Sequence, residues 1–520
     1  MMAVIKALAL NEMRLRMRRT STLVTLLAVV AISWAMIADP AGGSSLIVVN
    51  GHRVLYTSSA LSVGSASLCC ILFGLGGFYL VRGRVAEDIR SGTGSVIGAT
   101  QVSDGLFVFS RWLGSVAYLG TLIVAFMLTI MVLHAIRGDG PIEPLVYMKN
   151  YAMLLVPLVL FTVSCAALFD NWAPLMGKGG DVLFFFVWAT QLAVMPIIDK
   201  SRIGDQIPTL ELVDFSGIGT SMIVVTEALQ SKNVSLGGGE FKASLAPVVM
   251  TSELWSAKLV AVRLATALIA LLPLLLSGFL FHRFSPDKVK VSVARERRSP
   301  LAVLNGWLRP VSTLVTPLFS LAARMPGMPG QVLGDVALTL AIAPSAVLAL
   351  AASLAVSLLA PGAVLAAVLM ASLVFWGVLV SDVSTRDYSA GTEDMSGAVR
   401  GGIAGRYVRQ FAATALLGLM FVGVVALRWA QPEPLRAMAV VAGVLSMAAL
   451  ATMFGRCSRT SRLFLALFLF WSYAILNRPP VALFDAVGFV GTANGYSIMM
   501  WSIAGAGALA AGYLWNRRLV

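Results

Sequence analysis

Long runs of apolar residues recur along the whole chain and constrain its fold more than any other feature. The chain is 58% hydrophobic and only 12% charged, with a mean hydropathy of +0.85. Many runs reach the roughly 18 to 20 residues that a helix needs to cross the hydrocarbon core of a bilayer. Backbone groups in that core must be paired within the protein, and a transmembrane barrel would show short alternating segments instead. The sequence therefore predicts an all-α polytopic membrane protein.

The apolar runs predict about twelve membrane-spanning helices, arranged as a six-plus-six pseudo-repeat. A Pro and a Gly in the turn 360–362 separate two spans, because both residues interrupt helices. The predicted regions are a basic interfacial helix (1–21), a first six-span half (22–281, with an external loop at 199–257), a basic cytoplasmic linker with an interfacial segment (282–335) and a second six-span half (336–520). The spans lie near 22–38, 62–81, 112–134, 151–169, 182–198 and 258–281, and near 336–359, 363–380, 411–427, 437–454, 463–477 and 497–515.

Positive charge is distributed unevenly among the connections between the predicted spans. The net charge is +14, and Lys and Arg concentrate in alternate connections, above all in the linker 282–335. Basic residues favour the cytoplasmic side of a membrane, so this pattern places both termini in the cytoplasm. Contact with anionic lipid explains the basic balance better than binding of nucleic acid. A composition rich in Ala, Val, Leu and Arg favours a bacterial inner membrane.

Residues 3–20 are too charged to cross a membrane. Apolar residues recur there at every fourth position, and arginines crowd the C-terminal part. This pattern is typical of a basic helix on the inner membrane face, and equally of a charged leader to the first span.

Side chains that carry chemistry are sparse. The four cysteines and three histidines lack metal-ligand spacing, and Gly177-Lys178 lacks the upstream glycine of a phosphate-binding loop. Asp214 and Ser216 are typical of turn chemistry. We therefore expect no catalysis, cofactor or metal in this chain. Trp188 and Gln191 form a candidate cavity, with a helix–helix hydrogen bond as the alternative for the amide.

One polar loop occurs twice, at the same place in each half. Each copy follows one predicted span and precedes another, and repetition at this distance indicates two similar halves. We expect a polar loop that is kept in both halves to act at the membrane surface. The matching residues are Asp88, Gly92, Thr93, Gly98 and Ala99 in the first copy, and Asp387, Gly391, Thr392, Gly397 and Ala398 in the second.

The first copy, with Glu87 and Asp88 before Gly92-Thr93 and Arg111 opening the next span, resembles a loop of ABC transporter permeases of the type-2 export class. That loop joins the second and third spans in the family. The basic leader, the six-span unit and the external loop before the sixth span also resemble it. The resemblance implies a transport subunit that moves a lipid, peptide or other small amphipathic molecule out of the cytoplasm. ATP and Mg²⁺ would bind to separate ATPase subunits that dock on loops 83–110 and 381–410.

The resemblance implies that both copies are ATPase-coupling loops. Glu87 joins the five matching residues of the first copy in this role. A coupling helix needs a firm start, which Thr93 or Ser95 could cap, and small residues that admit a partner surface. Glu87 and Asp88 could pair with basic residues of the partner, or lie favourably near the N-terminus of the short helix. The second copy departs further from the family pattern, which predicts weaker docking or a different partner surface.

Two other classes of protein stay open. A proton-driven carrier of the major facilitator type also has six plus six spans, and 83–88 fits the start of its loop motif. The basic pair that ends this motif is missing, however. Arg263 is the clearest ionisable residue within a span and Asp335 lies at an edge, whereas proton pathways need several such residues. A membrane-embedded lipid-processing enzyme would need acidic or histidine clusters, which the sequence lacks.

Overall fold

Helices build most of the chain in the computed structural model, which describes residues 2–201, 210–231, 233–281, 300–398, 401–477 and 481–517. The chain forms two compact units, Met1–Glu296 and Arg297–Val520. The division falls within the predicted linker 282–335. Because the helices are long and apolar, the prediction of a helical polytopic membrane protein is confirmed at this level.

The first unit is organised around one long helix that follows the first polar loop. Its helices are α1 (Met2–Met17), α2 (Thr20–Met36), α3 (Ser58–Val81), α4 (Arg84–Arg90), α5 (Thr93–Gly98), α6 (Asp104–Arg137), α7 (Pro144–Asn171), α8 (Lys178–Ser201), α9 (Ile218–Ala228), α10 (Ala257–Ile269) and α11 (Leu272–Leu280). Helix α6 packs against α1, α2, α3, α7 and α11. Helix α7 also packs along α3, which completes the core of the unit.

The second unit has the same kind of centre. Its helices are α12 (Pro300–Trp307), α13 (Thr316–Arg324), α14 (Met328–Ile342), α15 (Pro344–Leu359), α16 (Leu365–Val380), α17 (Arg386–Ala390), α18 (Glu393–Gly397), α19 (Gly402–Trp429), α20 (Pro434–Ser458), α21 (Arg462–Asn477) and α22 (Gly495–Arg517). Helix α19 follows the second polar loop and packs against α14, α15, α16, α20 and α22. In each unit, the long helix after the polar loop therefore packs against five other helices and lies at the centre.

Eight helices of the described chain are long and apolar enough to cross a membrane, or up to ten if each of two bent helix pairs is one span. These ten fall on ten of the twelve predicted spans. The other two predicted spans, 182–198 and 463–477, form α8 and α21, of which α21 has 16 residues. The chain is a multi-pass membrane protein.

Both units contain a short helix joined at a sharp angle to an apolar helix. The predicted span 336–359 is divided in this way, because α14 and α15 meet at 105°. Pro344 lacks a backbone donor, and Ala343 before it leaves the helical conformation with φ −122° and ψ 80°. Helices α1 and α2 are bent by 73°. The described part of each unit therefore contains one bent helix pair.

A small antiparallel sheet accompanies the helices, which leaves the all-α class of the fold unchanged. Strand β1 (Ser44–Val49) pairs with β2 (His52–Arg53) and with β3 (Val234–Glu240), in the order β2-β1-β3. The predicted external loop 199–257 contains α9 and β3, to which the sequence assigns no regular structure. Gly237 and Gly238 in β3 have positive φ, and a Gly-rich run carries no alternating strand pattern.

Arg263, the ionisable residue predicted within a span, links separate segments of the first unit by hydrogen bonds. Its buried side chain donates to the carbonyl oxygens of Met153 (2.9 Å), Leu154 (3.0 Å) and Asp214 (2.7 Å). The Asp214 carboxylate accepts from Ser216 Oγ at 2.8 Å, which is the predicted turn chemistry. Arg263 thus ties α7 and α10 to the turn before α9.

Candidate functional site: the repeated loop and its ion pairs

Both copies of the repeated loop turn at a glycine in the left-handed conformation. Gly92 separates α4 from α5 with a φ of 72°, and Gly391 separates α17 from α18 with a φ of 68°. Glycine enters this left-handed region without the steric strain that a Cβ introduces. The shared glycine is therefore explained by a turn between two short helices.

The threonine after each glycine closes this turn. Thr93 Oγ1 donates to the carbonyl oxygen of Asp88, and Thr392 Oγ1 donates to that of Asp387, both at 3.4 Å. The matching hydroxyls thus bind back to the helix before the turn in both units. The repeated Asp, Gly and Thr together specify one local structure.

The predicted cap of α5 is wrong. Gly92 holds the N-cap position, and no side chain makes a capping hydrogen bond there. The Thr93 hydroxyl binds the preceding helix, and Ser95 Oγ donates to the Gly92 carbonyl oxygen at 2.7 Å. Local side-chain bonds of this kind compete with capping because they direct the hydroxyl to a different backbone group.

The small residues of the motif end the short helices. Ala99 and Ala398 hold the C-cap positions with nearly equal backbone angles, φ −80° and ψ −10° against φ −79° and ψ −10°. Gly98 and Gly397 precede them. A Cβ on Gly397 would lie 3.2 Å from Cγ1 of Ile403 in α19. At least this glycine therefore admits the chain's own next helix rather than only a partner surface.

The acidic residues of the first loop bind arginines of the same chain. Asp88 is only 3% exposed and pairs with Arg111 in the first turns of α6. Glu87 is more exposed and contacts Arg19 at 2.6 Å and Arg84 at 2.8 Å. Because Asp88 is enclosed, its carboxylate positions the loop in this structure, and the predicted part of Asp88 in partner docking stays a prediction.

Glu12 of α1 is the residue of this site that the sequence does not reveal. Its carboxylate is 3% exposed and lies 2.9 Å from Arg16, 3.3 Å from Arg84 and 3.5 Å from Arg111. One carboxylate thus connects α1, α4 and α6. Arg84 and Arg111 are distant from Glu12 in sequence, so no local pattern indicates these contacts.

An ion pair and a hydrogen bond connect three helices of the second unit. Asp335 of α14 pairs with Arg409 of α19 at 2.8 Å. Arg386 of α17 donates to Thr339 Oγ1 of α14 at 2.8 Å. In both units, arginine contacts therefore join the first helix of the bent pair to two other helices. These are the short helix before the glycine turn and the long helix that follows the loop.

Glu393 attaches α18 to the rest of the second unit. Its carboxylate binds Arg456 of α20 and lies 3.3 Å from Arg406 of α19, which is also 3.9 Å from Asp387. Partial burial is the largest cause acting on the pKa of Glu393 and raises it, but Arg456, Arg406 and Arg459 together hold that pKa below its usual 4.5. The carboxylate is therefore ionised at neutral pH.

A small cavity of about 50 Å³ adjoins the ion pairs of the first loop. Its polar lining includes Glu12, Arg84 and Arg111, together with Asp170 and Asn171 of α7. Pockets for drug-sized ligands measure about 300 Å³ or more, so this space suits only water-sized groups.

Trp188 and Gln191, the predicted cavity residues, lie elsewhere in the first unit. The Trp188 indole donates to the carbonyl oxygen of Ile71 at 3.2 Å. The Gln191 side-chain oxygen accepts from the backbone of Phe215 at 3.0 Å. Both side chains thus bond to neighbouring segments, and their role in a substrate cavity stays a prediction.

In the described ranges, no group of three or more His, Cys, Asp and Glu side chains could hold a metal ion.

Comparison of the chain with protein-family models, with curated proteins and with solved structures finds no match. The class that the structure defines is a multi-pass helical membrane protein with two similarly folded polar loops.

Proposed function

We propose that this chain is the membrane-spanning permease subunit of an ATP-driven exporter. Separate cytoplasmic ATPase subunits bind ATP and Mg²⁺ and dock on loops 83–110 and 381–410. ATP-driven closure of the ATPase subunits displaces these loops. The movement of the loops drives an amphipathic or hydrophobic substrate out of the cytoplasm. The chain itself catalyses no reaction. It resides in a bacterial inner membrane with both termini in the cytoplasm.

The proposal includes twelve spans, six in each half. The eight long helices and the two bent pairs supply ten of them. The helices α8 and α21 supply the other two. Under this topology both polar loops lie on the same side of the membrane, where one pair of ATPase subunits reaches both.

The observation that carries the proposal is the matching construction of the two loops. Each places a short helix after a left-handed glycine, directly before the long helix at the centre of its unit. Arginine contacts connect the loop to the bent helix pair in both units. Breaking a buried ion pair, such as those of Glu12 and Asp88 in the first unit, costs much stability, and the contacts of the second unit are partly buried. Displacement of either loop by an ATPase subunit is therefore transmitted to membrane helices. Coupling to an ATPase requires such transmission.

Purification of the full chain from its native membrane in mild detergent tests the proposal. We expect an ATPase with a phosphate-binding loop to co-purify, and reconstituted vesicles to transport substrate only with ATP. A chain that purifies without an ATPase and moves substrate along a proton gradient would overturn the proposal and favour the secondary carrier.

A further inference from the structure

The cavity beside the ion pairs of the first loop is lined by two buried polar atoms that have no hydrogen-bond partner among the described residues. One is Nη1 of Arg111, near the start of α6, and the other is Oδ1 of Asn171, at the end of α7. Buried polar atoms in folded proteins are nearly always paired, because an unpaired one destabilises the protein. Both atoms therefore need a partner that the described part of the chain does not supply.

The other polar atoms of these two side chains already have partners. Arg111 binds Asp88 through Nη2, and its Nε lies 3.5 Å from a carboxylate oxygen of Glu12. Asn171 Nδ2 donates to Ser277 Oγ of α11 at 2.8 Å. Because Asn171 is only 8% exposed, bulk solvent does not provide the missing partner of its Oδ1.

The chemistry of the two atoms defines the ligand. Nη1 of Arg111 only donates a hydrogen bond, and Oδ1 of Asn171 only accepts one. An anion pairs with the first atom alone and a cation with the second alone, whereas a water molecule both donates and accepts. The volume of about 50 Å³ agrees, since a cavity needs roughly 10–15 Å³ to hold one water.

The charged groups around the cavity give an ion little to bind. Arg16 and Arg84 lie 2.9 Å and 3.3 Å from Glu12. The carboxylate of Asp170 accepts from the backbone N–H of Gly83 at 2.8 Å. Since these charges are already paired or hydrogen-bonded, the cavity favours a neutral ligand.

We propose that this cavity binds ordered water that bridges Arg111 Nη1 and Asn171 Oδ1. Through the bond between Asn171 and Ser277, the water connects α6 to both α7 and α11. It thereby joins the long helix at the centre of the first unit to two of the helices packed against it. The inference does not depend on the proposed function, because it concerns only groups within the first unit.

Radiolytic footprinting with X-ray pulses tests the site in the full chain, since radicals formed from confined water oxidise the side chains beside it. Phe107 lines the cavity and Phe169 of α7 is not part of its lining, yet both residues are 6% exposed. We expect Phe107 to be oxidised severalfold faster than Phe169. Equal rates would overturn the proposal. A Phe107 rate that changes when gluconate replaces chloride at constant ionic strength would identify an anion and would overturn it as well.

Filling the cavity gives a second test, in which a hydrated and an empty cavity respond with opposite sign. Ala167→Val adds two methyl groups to the lining. Water is then expelled and two polar atoms stay unpaired, so the melting temperature should fall by several degrees and Phe107 should be oxidised no faster than Phe169. Ala152→Val, at an exposed position of α7, is the matched control. A melting temperature of Ala167→Val above that of the control would overturn the proposal, because filling an empty cavity adds apolar contacts.

Discussion

At the residue scale, a single carboxylate holds the first loop to its neighbours. Glu12 is surrounded by three arginines on three helices. The ion pairs offset the high cost of burying these charges, so the cluster is stable only while complete. Glu12 therefore matters more for the stability of the first unit than a surface acid.

Replacing Glu12 with Gln should destabilise the protein strongly. It leaves the buried Arg16, with Arg84 and Arg111, short of a negative charge, and breaking a buried pair costs about 3–5 kcal/mol. Thermal unfolding in detergent measures the effect. Glu253→Gln, at an exposed position, is the matched control and should change little. A melting temperature of Glu12→Gln equal to that of this control would contradict the assigned role.

The turn glycines give a second prediction at this scale. Gly92→Ala and Gly391→Ala should each lower stability by about 1 kcal/mol, because an alanine at positive φ is strained even where its Cβ would meet no atom within 4 Å. Thermal unfolding again measures the change. Gly105→Ala is the control, since Gly105 is helical and equally uncrowded. A gain of stability at Gly92 or Gly391 would show that the turn is not maintained in solution.

At the scale of elements, the sequence predicts what local chemistry determines. Helical spans follow from apolar length, and the Gly-Thr repeat is visible because one backbone turn requires those residues in both units. The bend before Pro344 is indicated by the proline, because proline interrupts a helix at the residue before it. Glu12 and Asp335 cannot be assigned to the loops from sequence, since their partners Arg84, Arg111 and Arg409 are brought close only by helix packing.

Acid should loosen α18. Because the pKa of Glu393 is lowered in the folded protein, its stabilising contribution is complete above about 4.5 and is lost as the pH falls through the folded pKa. Discounting for partial exposure, the contribution is about 1 kcal/mol. The difference in melting temperature between wild type and Glu393→Gln should be constant near neutral pH and vanish at lower pH.

Glu433 supplies the control for this acid effect, since its side chain is 49% exposed and lies 3.1 Å from Arg436 in an ion pair open to solvent. Glu433→Gln should show a smaller difference from wild type at neutral pH. A Glu393→Gln difference that persists or grows below the folded pKa would contradict the ionised contact to Arg456.

At the scale of the whole molecule, the two units contain similar polar loops that are held by different contacts. Asp88 is buried against Arg111, whereas the corresponding Asp387 has 26% of its side chain exposed and lies 3.9 Å from Arg406. The first loop thus relies on its aspartate to reach its long helix, whereas the second loop also reaches α19 through Glu393 and Arg406. If ATPase subunits push on both loops, loss of the aspartate should therefore matter more in the first loop.

This inequality predicts different losses of coupling. Asp88→Asn should abolish most of the substrate-stimulated ATPase activity of the reconstituted complex, because the loop then moves without α6. Asp387→Asn should retain about half of it or more, since Glu393 still pairs with Arg406 and Arg456 and keeps the second loop joined to α19 and α20. Both variants are compared below their melting temperatures and at equal ATPase occupancy, so that lost folding or lost docking is not mistaken for lost coupling. A larger loss from Asp387→Asn would reverse the ranking, and it would mean that the more exposed contact carries the movement while the buried one serves stability alone.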